Sequence, residues 1–533
     1  MHDLVRSMAL KITKGKNLVY SSLYLREIPN EGEWIRDLEK VSLMNNSMIE
    51  IPDGMSPDCP KLTTLILSDN TLKFSPDSFF SKLVNLCFLD LSKTNIEKLP
   101  NSLSNLENLK ALNLQGCRDL VDIPDLGKLK KLRELDLSHT RIEKVPQGME
   151  ELANLVFLSL IFAESLKTLP EGLFLNFPLL QCLRLPCHIE APIEEILRLK
   201  RLEQFRGGMK NASDFCKFNR CRQSQLTYFM IHVNKGDDDF KNGMNKESID
   251  FGDWSLTYEN HPNEVVLFQC DLKNEEEGDF SMLFHDNKRL ELRNCEGVRN
   301  FLLTDFSKLS MPAPFGFLVI SKCGGMECFL TNEQFLTASQ ELDSCFFLLR
   351  TLKKIILRDL EDFIGIIQNI GIAVEPPLPQ AAIFSSRQSL IIVRCHKMRK
   401  LGLPLSEFQN LEEIWISECD KIEEIIEVRE GEGRVVSLPK LRSLQLWDLP
   451  RLRSICNTTL FCSSIVVIHL QRCRELKKLS LHFDLTSSCQ TLKNILIWEE
   501  DKEWWESLEW EHPTHSHLLQ PLVTVCDTYP CIG

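Results

Sequence analysis

The chain has no run near the roughly 18 uncharged apolar residues of a membrane-spanning helix. The apolar run CFFLLRTLKKIIL is broken by Arg350, Lys353 and Lys354. Charges run through MHDLVRSMALKITKGKN, where a signal peptide needs its apolar centre, so a cytoplasmic chain without a transmembrane segment is expected. Cysteine, 20 in 533 residues, is far below the density of a disulfide scaffold, and no two cysteines stand in a CxxC pair. A disulfide scaffold, a zinc ribbon and a thioredoxin-like redox motif are thereby disfavoured. There is no basic excess: 62 Lys and Arg stand against 75 Asp and Glu, a net charge of −13, which argues against a nucleic-acid partner. Tyrosine is scarce, 5 against 30 phenylalanines, the balance of a chain filling a long core with hydroxyl-free aromatics. No GxxxxGK[ST] phosphate loop, HExxH, GxSxG or kinase signature occurs, so no catalytic constellation and no enzyme is expected.

A length of 533 residues exceeds what one hydrophobic core sustains, so several domains or a stacked array must be present. The prolines decide between them. Pro29, Pro52, Pro76, Pro100, Pro124, Pro146 and Pro170 recur every 22 to 24 residues, mostly after an aliphatic residue. Between them LTTLILSDN, LCFLDLSKT, LKALNLQGC and LRELDLSHT share the pattern L-x-x-L-x-L-x-x-[N/C/T], beginning at Leu62, Leu86, Leu109 and Leu132. This is the leucine-rich-repeat signature. Alternate leucines of a short strand point to one side, and a single strand cannot bury that side, but stacked parallel neighbours build a continuous core. The expected fold is an α/β leucine-rich-repeat solenoid, curved, with its parallel sheet on the concave face. The position after each strand is a buried turn that needs a side-chain donor, and Asn46, Asn70, Thr94, Cys117 and Thr140 supply one. NSLSNLENL and QGMEELANL read as short helical returns.

The regular pattern fails after Leu202. Gly, Asn and acidic residues crowd 203–263, which predicts an irregular insertion with only LTYFMIHV as a strand. From about 264 the repeats resume with Cys295, Cys323, Cys395, Cys419 and Cys473 at the turn position. The expected divisions are 1–17, a remnant helix; 18–202, N-terminal repeats; 203–263, insertion; 264–499, Cys-bearing repeats; and 500–533, a cap and tail untethered after Pro521.

These features resemble the plant intracellular nucleotide-binding leucine-rich-repeat disease-resistance proteins of the coiled-coil branch. MHDLVRSMAL looks like the Met-His-Asp motif that closes their nucleotide-binding switch module. VSLMNNSMIEIP resembles their first repeat, and LPKLRSLQLWDLPRLRSIC and EWWESLEWEHP their last repeats and tail. The resemblance implies the repeat half of a receptor, truncated just inside the switch, with Met1, His2 and Asp3 a vestigial nucleotide site. ADP or ATP is then expected only if an upstream nucleotide-binding module exists, and no other cofactor. It further implies a recognition and autoinhibition module in innate immunity. Its partners would be a pathogen effector or guarded host protein, and the nucleotide-binding module in cis or trans. The alternative is a substrate-recognition adapter of a ubiquitin ligase, which needs a helical adaptor-binding box before the repeats.

Residues flanking the strand leucines point away from the core. In the first arm they are small or polar: Asp90, Lys93, Asn113, Asp136 and His139. In the second they include Trp415, Glu418, Gln445, Trp447, Asp448, His469, Arg472 and Trp498. Exposed tryptophan among charges is the composition of a protein-binding hot spot, so this stripe is the expected partner surface. His512, His515 and His517 read as a solvated tail and the turn cysteines as structural, so no metal is expected.

Overall fold

The computed structural model describes residues 15–73, 76–221, 226, 228–234, 264–268, 289–298, 316–331, 352–368, 388–402, 410–426, 435–482, 491–510 and 519–526. The chain divides into two compact units, Met1–Thr257 and Tyr258–Gly533. Each is a leucine-rich-repeat solenoid built on a parallel sheet.

In the first unit the sheet runs through Asn17–Val19, Lys40–Ser42, Thr64–Ile66, Phe88–Asp90, Ala111–Asn113, Glu134–Asp136, Phe157–Ser159, Cys182–Arg184, Gln204–Met209 and Tyr228–Asn234. Every neighbour in that order is parallel. Most strands have three residues, and the central one (Leu65, Leu89, Leu112, Leu135, Leu158, Leu183) is sealed in the core. The chain returns through single turns of helix. Pro76 and Pro100, at extended φ near −70°, introduce Asp77–Phe80 and Asn101–Asn105, where no backbone donor is required. Phe79, Phe80, Phe174 and Phe177 fill the space beneath these turns and meet edge-on in pairs.

The segment expected to begin an irregular insertion is instead a repeat. Gln204–Met209 is a six-residue strand, Ala212–Cys221 a helical return and Tyr228–Asn234 the next strand. The signature was hidden because Gly207 and Gly208 replace the expected leucine and its neighbour. A Cβ on Gly208 would stand 2.2 Å from the Cys187 carbonyl oxygen, so only glycine lets the preceding turn approach this strand. The rest of 235–263 lies outside the described residues, as do Met1, His2, Asp3 and His512, His515 and His517.

The second unit uses longer strands: Glu264–Phe268, Arg289–Arg293, Phe317–Ser321, Lys354–Arg358, Gln388–Val393, Leu411–Ser417, Ser443–Trp447, Val467–Gln471, Asn494–Trp498 and Val523–Cys526. These too pair in parallel, each with the next. The tail after Pro521 is therefore tethered, because Val523–Cys526 adds a strand beside Asn494–Trp498. Some returns are extended and pair among themselves, as in Glu424–Ile426 with Ser454–Cys456 and Val435–Ser437 with Thr459–Phe461.

One backbone feature repeats through both units. The residue just before the buried turn position has positive φ: Asn45, Asp69, Lys93, Gly116 and His139 in the first unit. In the second, Asn294, Lys322, Asp359, Arg394, Glu418, Asp448 and Arg472 do the same. Asn, Asp and Gly tolerate this left-handed conformation, whereas Lys, Arg, Glu and His are held there by the repeat at a modest local cost. Except at Arg472, the N–H of each finds a carbonyl on the next repeat, as in Asp448 N to Gln471 O at 2.9 Å.

Candidate protein-binding site

The turn positions show how the stack is held. Asn70 donates from Nδ2 to the carbonyls of Leu43 and Leu67, both at 2.9 Å, and accepts from Met48 N. Asn46 donates to Tyr20 O and Leu43 O and accepts from Leu23 N and Leu25 N. Thr94 and Thr140 donate to the carbonyl three residues back, those of Leu91 and Leu137, and Thr94 also meets the Cys117 thiol at 3.4 Å. The thiols of Cys117, Cys295, Cys323 and Cys473 reach back one repeat, to Leu91, Leu267, Leu292 and Leu446. Cys395 and Cys419 bond the carbonyls of Val393 and Ser417. All ten side chains are buried, and no disulfide joins any cysteine among the described residues. Burial pushes the Cys419 and Cys473 thiols up to about 12, while the hydrogen bond from Cys295 holds the Cys323 thiol below its ordinary value. A buried thiol of high pKa is a weak donor and a poor nucleophile.

Away from the core, the second unit presents three lateral rows of side chains. The middle row runs in register through Val266, Glu291, Val319, Ile356, Ile391, Trp415, Gln445, His469 and Leu496. The expectation that Trp415, Gln445 and His469 are exposed is corrected here. They are 3%, 7% and 2% exposed, respectively. Neighbouring strands are about 4.8 Å apart, so large side chains in one row overlap and shield one another. Trp447 adds the lid: its ring centroid stands 4.8 Å from that of Trp415 and 4.7 Å from that of His469. Burial lowers the His469 imidazole to about 4, which keeps it neutral.

This covered cluster is not fully satisfied. Trp415 Nε1, Trp447 Nε1, Gln445 Oε1 and His469 Nε2 are buried without a hydrogen-bond partner among the described residues. Gln445 places its amide nitrogen towards Glu413 at 3.4 Å and Ser443 at 3.3 Å. Unsatisfied buried polar atoms cost about 1–3 kcal/mol each, so four in one cluster call for an explanation.

Along the edge of the cluster lie the remaining expected residues. Trp447, Asp448 and Trp498 are half-buried, and Glu418 and Arg472 are exposed. Arg472 bridges Asp448 at 3.3 Å and Glu500 at 3.8 Å, and Arg394 bridges Asp359 and Glu418. The geometry thus joins Trp415, Gln445, Trp447 and His469 into an aromatic centre beside a charged rim of Glu418, Asp448 and Arg472, with Trp498 two strands beyond Trp447.

Sequence reasoning missed two buried carboxylates. Asp501 is wholly buried, and its carboxylate accepts the Arg472 N–H at 2.8 Å, where earlier repeats offer a strand carbonyl. Glu291 lies buried in the middle row between Arg289 and Arg293, which it pairs at 3.5 and 2.6 Å. The alternation of charged and apolar residues in RLELR was the available signal. No group of His, Cys, Asp or Glu among the described residues could hold a metal, and no described helix is long and apolar enough to cross a membrane.

The chain's repeats match known families in three places. Residues 372–501 match the leucine-rich repeats described as plant disease resistance protein RPS2-like, residues 102–247 a leucine-rich repeat region, and residues 60–118 a leucine rich repeat. Disease resistance protein At4g27190 of Arabidopsis thaliana is 28% identical over 554 residues, covering 98% of this chain and 51% of that protein. Disease resistance protein RPS5 of the same plant is 24% identical, covering 96% of this chain and 44% of that protein. Disease resistance protein SUMM2, also from Arabidopsis thaliana, is 42% identical over a shorter stretch, 21% of this chain and 13% of that protein. The chain spans about half the length of the relatives it matches throughout. Its repeats and its parallel register make it a leucine-rich-repeat protein, similar in sequence to plant disease resistance proteins.

Proposed function

We propose that the chain is a non-enzymatic recognition and autoinhibition module of a plant innate-immune receptor, acting in the cytoplasm. Its second unit binds a protein partner through the patch around Trp447, the partner being a pathogen effector or a guarded host protein. The observation that carries this reading is a half-buried tryptophan lying over buried polar atoms without partners. Rotation of the Trp447 ring would expose the indole and imidazole nitrogens to a partner's backbone carbonyls and amides, while Glu418, Asp448 and Arg472 set charge register at the rim. A nucleotide-binding module in cis or trans is the second partner. ADP or ATP belongs to that module, because a nucleotide needs a glycine-rich cradle and this sequence has no such motif. Relatives that match over nearly the whole chain are resistance proteins, which leaves the ubiquitin-ligase adapter without support.

The test is Trp447→Ala and Asp448→Lys in a reconstituted full-length receptor, with a melting curve beside a cell-death assay. We expect a lost or constitutive response from both, with nearly unchanged melting for Asp448→Lys and a loss of about 1–3 kcal/mol for Trp447→Ala, whose ring covers Trp415 and His469. Stable variants with normal responses would move recognition elsewhere. Calorimetry on the chain alone should show no ADP or ATP binding, and micromolar affinity would reveal a nucleotide site within it.

A further inference from the structure

The first unit carries a second, independent anchor. Arg184 and Arg206 occupy the same position on adjacent parallel strands, on the face away from the core, so their side chains leave the sheet about 4.8 Å apart. Like charges directly opposite one another are unfavourable. Neither guanidinium has a carboxylate within ion-pairing distance among the described residues, although Lys93, Lys98, Lys130, Lys167 and Lys217 of this unit all do. Instead each lies over an aromatic ring: Arg184 is 5.5 Å from the Phe157 centroid and Arg206 is 5.3 Å from that of Phe162. Arg184 also donates to Gln204 Oε1 at 3.3 Å. Both arginines are half-buried, so they are held in place rather than waving in solvent.

Phe162 points the same way. It sits just before the turn position with φ of 57°, where sister repeats carry Asn45, Asp69, Lys93, Gly116 and His139. A bulky residue in this conformation is strained, and here it is 37% exposed, so core packing does not demand it. Its ring is stacked on His139 at 4.5 Å and supports Arg206 on its other contact.

We propose that Arg184 and Arg206, seated on Phe157 and Phe162, bind a carboxylate side chain of an extended peptide segment in a protein partner. Two planar guanidiniums side by side match a carboxylate, and the rings keep them oriented before it arrives. The neighbouring row chooses peptide over polyphosphate. Asp136 and Asp90 lie in the same row, two and four strands from Arg184, about 10 and 19 Å away. A nucleic acid laid along that row would meet those carboxylates, whereas a peptide can set a basic residue there and an acidic one at the arginines. This site goes beyond the patch of the second unit and does not depend on it.

The experiment is fluorescence anisotropy on the full chain with a short labelled Gly-Ser peptide bearing two Glu and one Lys. Control probes are the same peptide with Gln for Glu, a phosphoserine version and an oligothymidylate. We expect saturable binding of the Glu peptide, little of the Gln peptide, and about ten-fold or greater weakening in Arg184→Gln/Arg206→Gln at unchanged melting temperature. Arg206→Glu should lose the Glu peptide and gain a peptide with Lys in place of Glu, which keeps the test valid if the double variant folds poorly. Equal binding of Glu and Gln peptides, an unaffected double variant, or tighter binding of the phosphopeptide or oligothymidylate would overturn the proposal.

Discussion

The first unit builds its sheet mainly from three-residue strands, the second mainly from strands of five or more. Two extra residues change what the open face is. A three-residue strand offers two outward positions flanking one buried leucine, and Asp90, Asn113 and Asp136 stay half-exposed, each using one side-chain oxygen to accept the N–H two residues on. A five-residue strand offers three outward positions, and the middle one is closed in on all sides. The second unit therefore has a packed layer on both sides of its sheet, and its outward residues carry stability as well as recognition.

The largest expected effect tests that difference. Trp415→Ala should destabilise the second unit by about 3–5 kcal/mol, comparable with Leu446→Ala at about 2–5 kcal/mol, because both empty packed sites. Asn113→Ala, at an outward position of the first unit, removes one turn-capping bond and should cost about 1 kcal/mol. Urea melts of the three variants decide the matter; a Trp415 variant as mild as the Asn113 variant would show that the middle row is not packed.

Next comes pH. The His469 imidazole is lowered by burial from 6.5 to about 4, so the folded chain favours its neutral form. Stability from this group is complete above about 6.5 and is lost as pH falls towards about 4, by about 3 kcal/mol in all. His469→Asn should flatten that part of the pH profile. Melts at pH 7, 5.5 and 4 that stay parallel for the two proteins would mean the ring is not sealed.

Smaller differences are expected at the turns. Asn70→Ala strands the carbonyl of Leu67 and the N–H of Met48 and should cost about 1–3 kcal/mol, whereas Cys473→Ser keeps a small donor and should cost less than about 1 kcal/mol. Chemical denaturation would rank the two, and the reverse order would make the thiol ladder the stronger one. The smallest effect is at Asp501, whose carboxyl is raised by burial, so its contribution is complete at low pH and lost as pH rises. Asp501→Asn keeps the acceptor for Arg472 N–H and should match or slightly exceed the wild type at neutral pH. Asp501→Ala should fall below both in the same melts.

Much of this was legible in the residues. The recurring leucines and prolines encode the strand, the core face and the return, because each occupies a fixed place in a repeated unit. Asn70 and Cys473 could be found as turn donors for the same reason. What the sequence could not reveal was lateral. Trp415, Gln445 and His469 are 24 to 30 residues apart, and only the register shows that they touch and seal one another. The Gly207–Gly208 strand escaped notice because its packing depends on an absent side chain. Arg184 and Arg206 carry no motif, and their pairing appears only when two strands are laid side by side.

The register has a hereditary consequence. Each repeat contributes one residue to each row, so recombination that gains or loses a whole repeat lengthens or shortens every row by about 4.8 Å and leaves the other members as they were. Insertion of a single residue within a strand does something else: it turns that strand's outward side chains inward and its leucines outward. The patch around Trp447 can therefore be moved along the stack or copied by unequal crossing-over outside it without being dismantled, whereas a repeat gained within it would part the touching rings. The same patch has almost no tolerance for the one-codon insertions that a surface loop would absorb unnoticed.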